Sequence, residues 1–418
     1  MTPIAVGRTT FINRFYHPDE LATAQLLGDL AERLAAAGHD IQVVAGYPPG
    51  AARQERRAGV LVQRVGPATR ATPSLIVRSF DFLVFWTACA WHLLRSTRPG
   101  DTLVPLTDPP LLGVIVAAVA RIRGARLIHW VQDIYPEVAQ QLAPRAGVRH
   151  LLAAAIPPRN WAWRQAAVCV TLGTDMARLV QQNGVAADRL RQIPNWPPAG
   201  IEISDGRAIR RERDLEGKFV VAYSGNLGRV HQLEAIAPVV AALREHPEIV
   251  FTFTGTGARR PALEAALRAQ QAPARFFPPE PRTRLSEGLA MGDLHWVTLR
   301  PGLESVVFPS KLVGVLAAGR PVIFLGNPDS GIARIVREAG VGHVFAPEAT
   351  GEIVACIRRL ALHPGEVREM GQRASAWASR HATLDEATRL WSDLLQPTTP
   401  GLLKPVHPAS LPTPHVGT

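Results

Sequence analysis

Residues 306–325 read VVFPSKLVGVLAAGRPVIFL, and the fold is decided by how this stretch is read. A loop carrying one lysine leads into a helix-compatible run, residues 312–318, then a glycine stop at Gly319 and an apolar strand, residues 322–325. Loop, helix and buried strand in that order are how an open α/β sheet turns backbone donors toward an anion. Lys311 gains weight from composition. The chain has three lysines, Lys218, Lys311 and Lys404, against 43 arginines, so generic basic positions are filled by arginine. A compact ammonium acts as a point charge beside a phosphate where a planar guanidinium does not fit.

The same alternation extends outward in both directions. Residues 9–13 form a first strand, residues 20–37 a helix with Leu26, Leu27, Leu30 and Leu34 on one face, and residues 41–45 a second strand. This βαβ start implies a right-handed crossover and a parallel sheet. Residues 60–65, 102–106, 126–131 and 167–172 continue the strands. The strand at 126–131 ends in Gln132-Asp133-Ile134-Tyr135-Pro136-Glu137, and ligands of open sheets bind beyond the carboxyl ends of strands. Asp133 and Glu137 are therefore placed for chemistry; as a bland reading, Asp133 forms a turn or caps a helix.

After the polar stretch 200–217, read as a linker, the pattern restarts. Strand 219–223 runs into Ser224-Gly225-Asn226-Leu227-Gly228 and a helix over about residues 232–245, and strand 249–254 ends in Gly255-Thr256-Gly257. Glycines in such turns let backbone amides approach a diphosphate, with the helix amino end adding partial positive charge. His231 is read either as a phosphate donor or as a helix cap. Strand 294–299 precedes the loop that holds Lys311, and Asp329 or Ser330 caps the helix 332–339. Helices at 352–362, 367–380 and 384–395 follow, and six prolines in the last 22 residues predict a disordered tail.

Composition bounds the function. With 418 residues, 47% apolar and 19% charged, the chain has room for two domains. The net charge of +11 is spread as scattered arginines without a basic run or aromatic ladder, which argues against nucleic acid and for anionic lipid or nucleotide. Cys89, Cys169 and Cys356 lie far apart in apolar contexts, as expected of buried thiols in a reducing compartment, and they form no metal motif. The amino end shows no signal-peptide pattern, and no apolar run reaches the ~18 residues of a membrane span. Residues 80–94, FDFLVFWTACAWHLL, are bulky, aromatic and flanked by Arg78, Arg95 and Arg98. An interior helix packed on the sheet is the favoured reading, an interfacial helix the alternative.

Five motifs together, HPDELATAQLLGDLAERLAAAGHDI (17–41), WVQDIYPE (130–137), IPNW (193–196), YSGNLGRVHQLE (223–234) and FPSKLVGVLAAGRPV (308–322), resemble the family 4 glycosyltransferases of the two-Rossmann (GT-B) fold, the group that builds bacterial exopolysaccharide and O-antigen. The resemblance implies an α/β fold of two Rossmann-like domains facing each other across a cleft. Residues 1–200 would hold the acceptor and residues 214–375 the donor, followed by a carboxyl-terminal helix, 376–396, that could return to the first domain, and a tail, 397–418. It implies a retaining transfer from a nucleotide diphosphate sugar, UDP- or GDP-linked, to a polyprenyl-linked glycan, in the cytoplasm at the inner face of the plasma membrane, with no metal and no cofactor. Asp133, Lys311 and Glu137 would be catalytic. Gly225, Asn226, Gly228, His231, Gly255, Gly257, Glu304, Pro309, Ser310, Leu312 and Asp329 would contact the donor. One departure stands out, because relatives carry glutamates where this chain has Val306 and Gly314; Glu304 or Asp329 is the expected substitute. A nucleotide-sugar epimerase on the same fold and a catalytically silent sugar-nucleotide binder are the competing readings.

Overall fold

The computed structural model describes residues 7–19, 21–68, 75–143 and 145–396. The expected tail, the expected helix start at residue 20 and residues 69–74 lie outside the described residues. Two compact units divide the chain. The first takes the described residues up to Pro136, His150–Pro194 and those from Thr388 onward; the second takes Glu137–Arg149 and Asn195–Ala387.

The first unit holds an eight-stranded sheet built from β1 (Thr9–Ile12), β2 (Ile41–Tyr47), β3 (Gln54–Arg57), β4 (Val60–Ala68), β5 (Thr102–Pro105), β6 (Arg126–Trp130), β7 (Val168–Thr171) and β8 (Leu190–Gln192). The spatial order is β3-β4-β2-β1-β5-β6-β7-β8, parallel except for the pairing of β3 with β4. Chain order reverses between β1 and β5, which makes the loops leaving those strands the natural ligand rim. Helix Ala22–Ala36 buries Leu26, Leu27, Leu30 and Leu34, the face expected from its 3.6-residue period. At the centre, Trp391 from helix Leu384–Leu395 is fully buried, with ring centroids 5.0 Å from Trp130 and 5.7 Å from Phe11.

The aromatic helix, Leu75–Ser96, is neither wholly interior nor wholly superficial. Phe85, Cys89 and Leu93 are buried, whereas Phe80 is 64% and Trp91 63% exposed. The favoured interior reading therefore holds for one stripe only. The edge strand β3 was not foreseen, because QERR lacks β-forming residues; the turn Ala58–Gly59, with φ of 46° and 84°, folds it back on β4.

The second unit repeats the plan with six parallel strands, β9 (Phe219–Ser224), β10 (Ile249–Thr254), β11 (Arg275–Phe277), β12 (Leu294–Thr298), β13 (Val322–Leu325) and β14 (Gly342–Phe345). Their order, β11-β10-β9-β12-β13-β14, reverses between β9 and β12. Residues 200–217 are not a free linker. They carry helix Arg207–Glu212, whose Ile209 is fully buried, as is Leu215 just beyond it, both packed with Val220, Ala222 and Met291. Arg210 pairs with Asp293 at 2.7 Å and Arg213 pairs with Glu280, so two of the charges that made the stretch look like linker are spent inside the unit.

Candidate active site

The sequence converges at the reversal point of the second sheet. The loop leaving β9 begins with Gly225, at φ 127°, a backbone state that excludes most side chains. Gly255 and Gly257, after β10, pack directly on that loop. A Cβ on Gly255 would lie 2.1 Å from the Gly225 carbonyl oxygen, and one on Gly257 would lie 2.3 Å from the Leu227 carbonyl oxygen. Hydrogen bonds from the Gly225 amide to the Thr254 carbonyl (3.0 Å) and from the Leu227 amide to the Thr256 carbonyl (2.8 Å) bind the turns together. The second glycine turn thus builds the first one.

Lys311 begins helix Lys311–Ala317 and reaches the first glycine turn, its Cε 3.7 Å from where a Gly225 Cβ would stand. Its Nζ donates to the Tyr223 hydroxyl and to His231 Nε2 (3.2 Å), and lies 3.9 Å from the Tyr223 ring centroid. Burial pushes the Lys311 pKa well below the ordinary lysine range. His231 is held to about 3 by burial first and by Lys311 second, so it is neutral at physiological pH. His231 caps no helix: the expected helix over 232–245 is confined to Ile236–Ala242. The residues before it are fastened to the loop after β12, through the Val230 carbonyl to the Arg300 amide (2.9 Å) and His231 Nδ1 to the Thr298 carbonyl (2.6 Å).

Other expected donor residues fall unevenly. Asn226 and Gly228 share the β9 turn, the Asn226 carbonyl accepting from Tyr223 at 2.8 Å. Pro309 and Ser310 precede Lys311, and Ser310 is exposed. The Leu312 side chain is fully buried and belongs to the core, which leaves only its backbone to face a ligand. Ser330, rather than Asp329, caps helix Gly331–Glu338, accepting from the Ala333 amide at 3.2 Å, while Asp329 is exposed and its amide bonds Asn327 Oδ1. Glu304 Oε2 accepts from the Gly302 amide at 2.9 Å, and its Oε1 is buried without a hydrogen-bond partner among the described residues. Val306 is buried, and a Cβ at Gly314 would meet Ile201, Leu289 and Pro198 at 3.7–4.0 Å, apolar surroundings for both departures.

In the first unit, Asp133 lies beyond β6 in a small depression shared with the loop after β5 and lined by Leu106, Leu111, His129, Arg159 and Trp163. Desolvation, with Asp108 adding to it, raises its pKa to about 6. Its amide bonds the Thr107 hydroxyl at 3.2 Å. Glu137 goes elsewhere. It opens helix Glu137–Leu142 in the second unit, where Gln141 donates to the Gly302 carbonyl at 2.6 Å, ahead of Lys311. Among the described residues no group of three or more histidine, cysteine or acidic side chains is placed to hold a metal ion.

The Glycosyl transferase 4-like domain matches residues 23–196. The putative colanic acid biosynthesis glycosyl transferase WcaI of Escherichia coli K12 is 26% identical over 374 residues, covering 84% of this chain and 91% of that one. The chain thus carries a glycosyl transferase 4-like domain and is similar to glycosyltransferases of surface-polysaccharide synthesis. Its two-Rossmann fold is shared with sucrose-phosphate synthase from Thermosynechococcus elongatus (TM-score 0.76, 15% identity, 93% of this chain and 98% of that one). The Anabaena protein Alr3699/HepE, solved with UDP and glucose, is also similar (TM-score 0.69, 15% identity, 94% and 100%). In this glycosyltransferase, sequence reading passed over Tyr223. The available signal was the one tyrosine beyond residue 200, standing at the end of a strand immediately before a glycine turn.

Proposed function

We propose that this glycosyltransferase moves a sugar from a nucleotide diphosphate sugar, UDP- or GDP-linked, onto a lipid-linked glycan during synthesis of a surface polysaccharide, with retention at the anomeric carbon. The observation that carries the reading is Lys311 held beside Gly225 at the reversal point of the second sheet. Breaking the anomeric bond leaves a second full charge on the nucleotide, and a preorganised ammonium with glycine-loop amides stabilises that charge as it develops. WcaI, named for colanic acid biosynthesis, and HepE, solved with UDP and glucose, support the substrate class. Glu304, with one carboxylate oxygen buried and unpartnered, is the substitute proposed for the glutamate that relatives carry in this loop. Asp133 polarises the acceptor hydroxyl, and Glu137 is a second candidate for that step.

The test is a panel of UDP- and GDP-sugars with mass spectrometry of the products. Sugar transfer or donor hydrolysis is expected, and Lys311→Ala is expected to lower kcat/KM about 100-fold or more. Epimerised donor without acceptor dependence would replace the transferase reading with an epimerase.

We further propose that the exposed stripe of helix Leu75–Ser96 meets the inner face of the plasma membrane. Phe80, Leu83 and Trp91 are exposed there, with the Arg95 guanidinium 3.0 Å from the Trp91 ring centroid. Apolar rings interleaved with cations suit an anionic lipid surface. Sedimentation with vesicles containing phosphatidylglycerol should be lost in Phe80→Ser/Trp91→Ser; equal binding by the double variant rejects this surface.

A further inference from the structure

The contacts of Lys311 fix the hydrogen positions around it, and with them a proton balance. A backbone carbonyl only accepts, so His231 Nδ1, 2.6 Å from the Thr298 carbonyl, carries the ring proton and Nε2 presents a lone pair to Lys311 at 3.2 Å. By the same logic the Tyr223 hydroxyl proton goes to the Asn226 carbonyl at 2.8 Å, leaving an oxygen lone pair toward Lys311. The amine therefore faces two acceptors. A neutral amine satisfies both with its two hydrogens and leaves its own lone pair free. An ammonium has a third N–H to give. A phosphate oxygen offers only acceptor lone pairs and cannot settle against an amine lone pair.

We propose that Tyr223 and His231 are positioning residues that hold Lys311 by two accepting contacts, and that binding of the donor diphosphate brings a proton from solvent onto Lys311 Nζ. The inference rests on the reading of Lys311 as a diphosphate ligand. Among the described residues, the titratable side chains contacting the lysine head are Tyr223 and His231. Glu234, three residues beyond His231, is engaged by Arg259 and lies 4.0 Å from Arg300. Burial without a carboxylate partner among the described residues favours the neutral amine in the free protein, in keeping with the lowered Lys311 pKa. The arriving diphosphate supplies the missing negative charge, the Nζ lone pair takes the proton, and the third N–H meets a phosphate oxygen.

Calorimetric titration with UDP-glucose and GDP-mannose tests this, since sugar-substituted diphosphates carry no group that titrates near neutrality. At about pH 8, in buffers of low and high ionisation enthalpy, the heats should differ by the uptake of up to about one proton per site. Affinity should fall about tenfold per pH unit above the pKa of the free lysine. Lys311→Arg, permanently charged, should abolish the uptake. Tyr223→Phe and His231→Leu should each move the onset of the pH dependence down by about one unit, and His231→Gln, which keeps an accepting oxygen, should restore it. A purely structural role would lower Tm and leave that onset in place. Binding heats identical in all buffers overturn the proton coupling while leaving the donor site intact; no binding of either nucleotide sugar overturns the donor site itself.

Discussion

Asp133 shows how a proposed catalytic role bears on stability. Its pKa of about 6 lies above the ordinary 3.8, so the folded chain binds this proton more tightly than the unfolded chain does. The sign follows: the protonated form favours the fold at low pH, and stability from this group is lost as pH rises from about 4 to about 6. At neutral pH the ionised carboxylate costs up to about 3 kcal/mol, which is tolerable if an acceptor hydroxyl needs a base there. Asp133→Asn should therefore raise Tm at pH 7 and leave it unchanged at pH 4, while lowering kcat about 100-fold or more and removing the acid limb near pH 6. Matched thermal melts and pH–rate profiles check both halves, and a variant with lower Tm at pH 7 contradicts the assignment. The sequence placed Asp133 at a strand end but not its pKa, because much of what buries it, together with Asp108, comes from the loop after β5 and helix Ile156–Gln165.

Among the elements, the paired glycine turns are the most demanding. Gly255 has φ 138° and no room for a Cβ, whereas Gly351, in helix Thr350–Leu362, has open space around it. Gly255→Ala should destabilise by about 1 to 3 kcal/mol and weaken nucleotide binding by shifting the Gly225 loop. Gly351→Ala, relieving helix entropy, should stabilise by about 0.5 to 1 kcal/mol and leave binding unchanged. Chemical denaturation with nucleotide titration separates the two, and equal effects from both substitutions would contradict the packing argument. The turns themselves were legible, since glycines after a β-rich strand announce a tight exit. Their partnership was not, because it depends on β9 and β10 lying side by side in register. The short charged strand β3 and helix Arg207–Glu212 were missed for a related reason: charged residues read as solvated until their partners, Arg64 for Glu55 and Asp293 for Arg210, are seen.

At the scale of the molecule, the βα alternation gave both sheets, because parallel strands buried on two faces leave continuous apolar runs. What it did not give is the discontinuity of the units, in which Glu137–Arg149 joins the second and Thr388 onward joins the first. Trp391 is the physical cause of the latter, closing a three-ring cluster with Phe11 and Trp130. Trp391→Ala should cost the first unit about 3 to 5 kcal/mol and make its melting separate from that of the second, seen as a split calorimetric transition. A single unshifted transition would show that the helix contributes little. The same tryptophan sets an order of events at the ribosome. A nascent chain that has not yet delivered residue 391 carries an open aromatic seam in the unit it made first, whereas the main core cluster of the second unit, between Val221 and Met370, has already been synthesised. Synthesis thus proceeds from one end while sealing waits for the other, and the interval is one in which a chaperone, or a neighbouring chain on the same polysome, meets the exposed rings of Phe11 and Trp130.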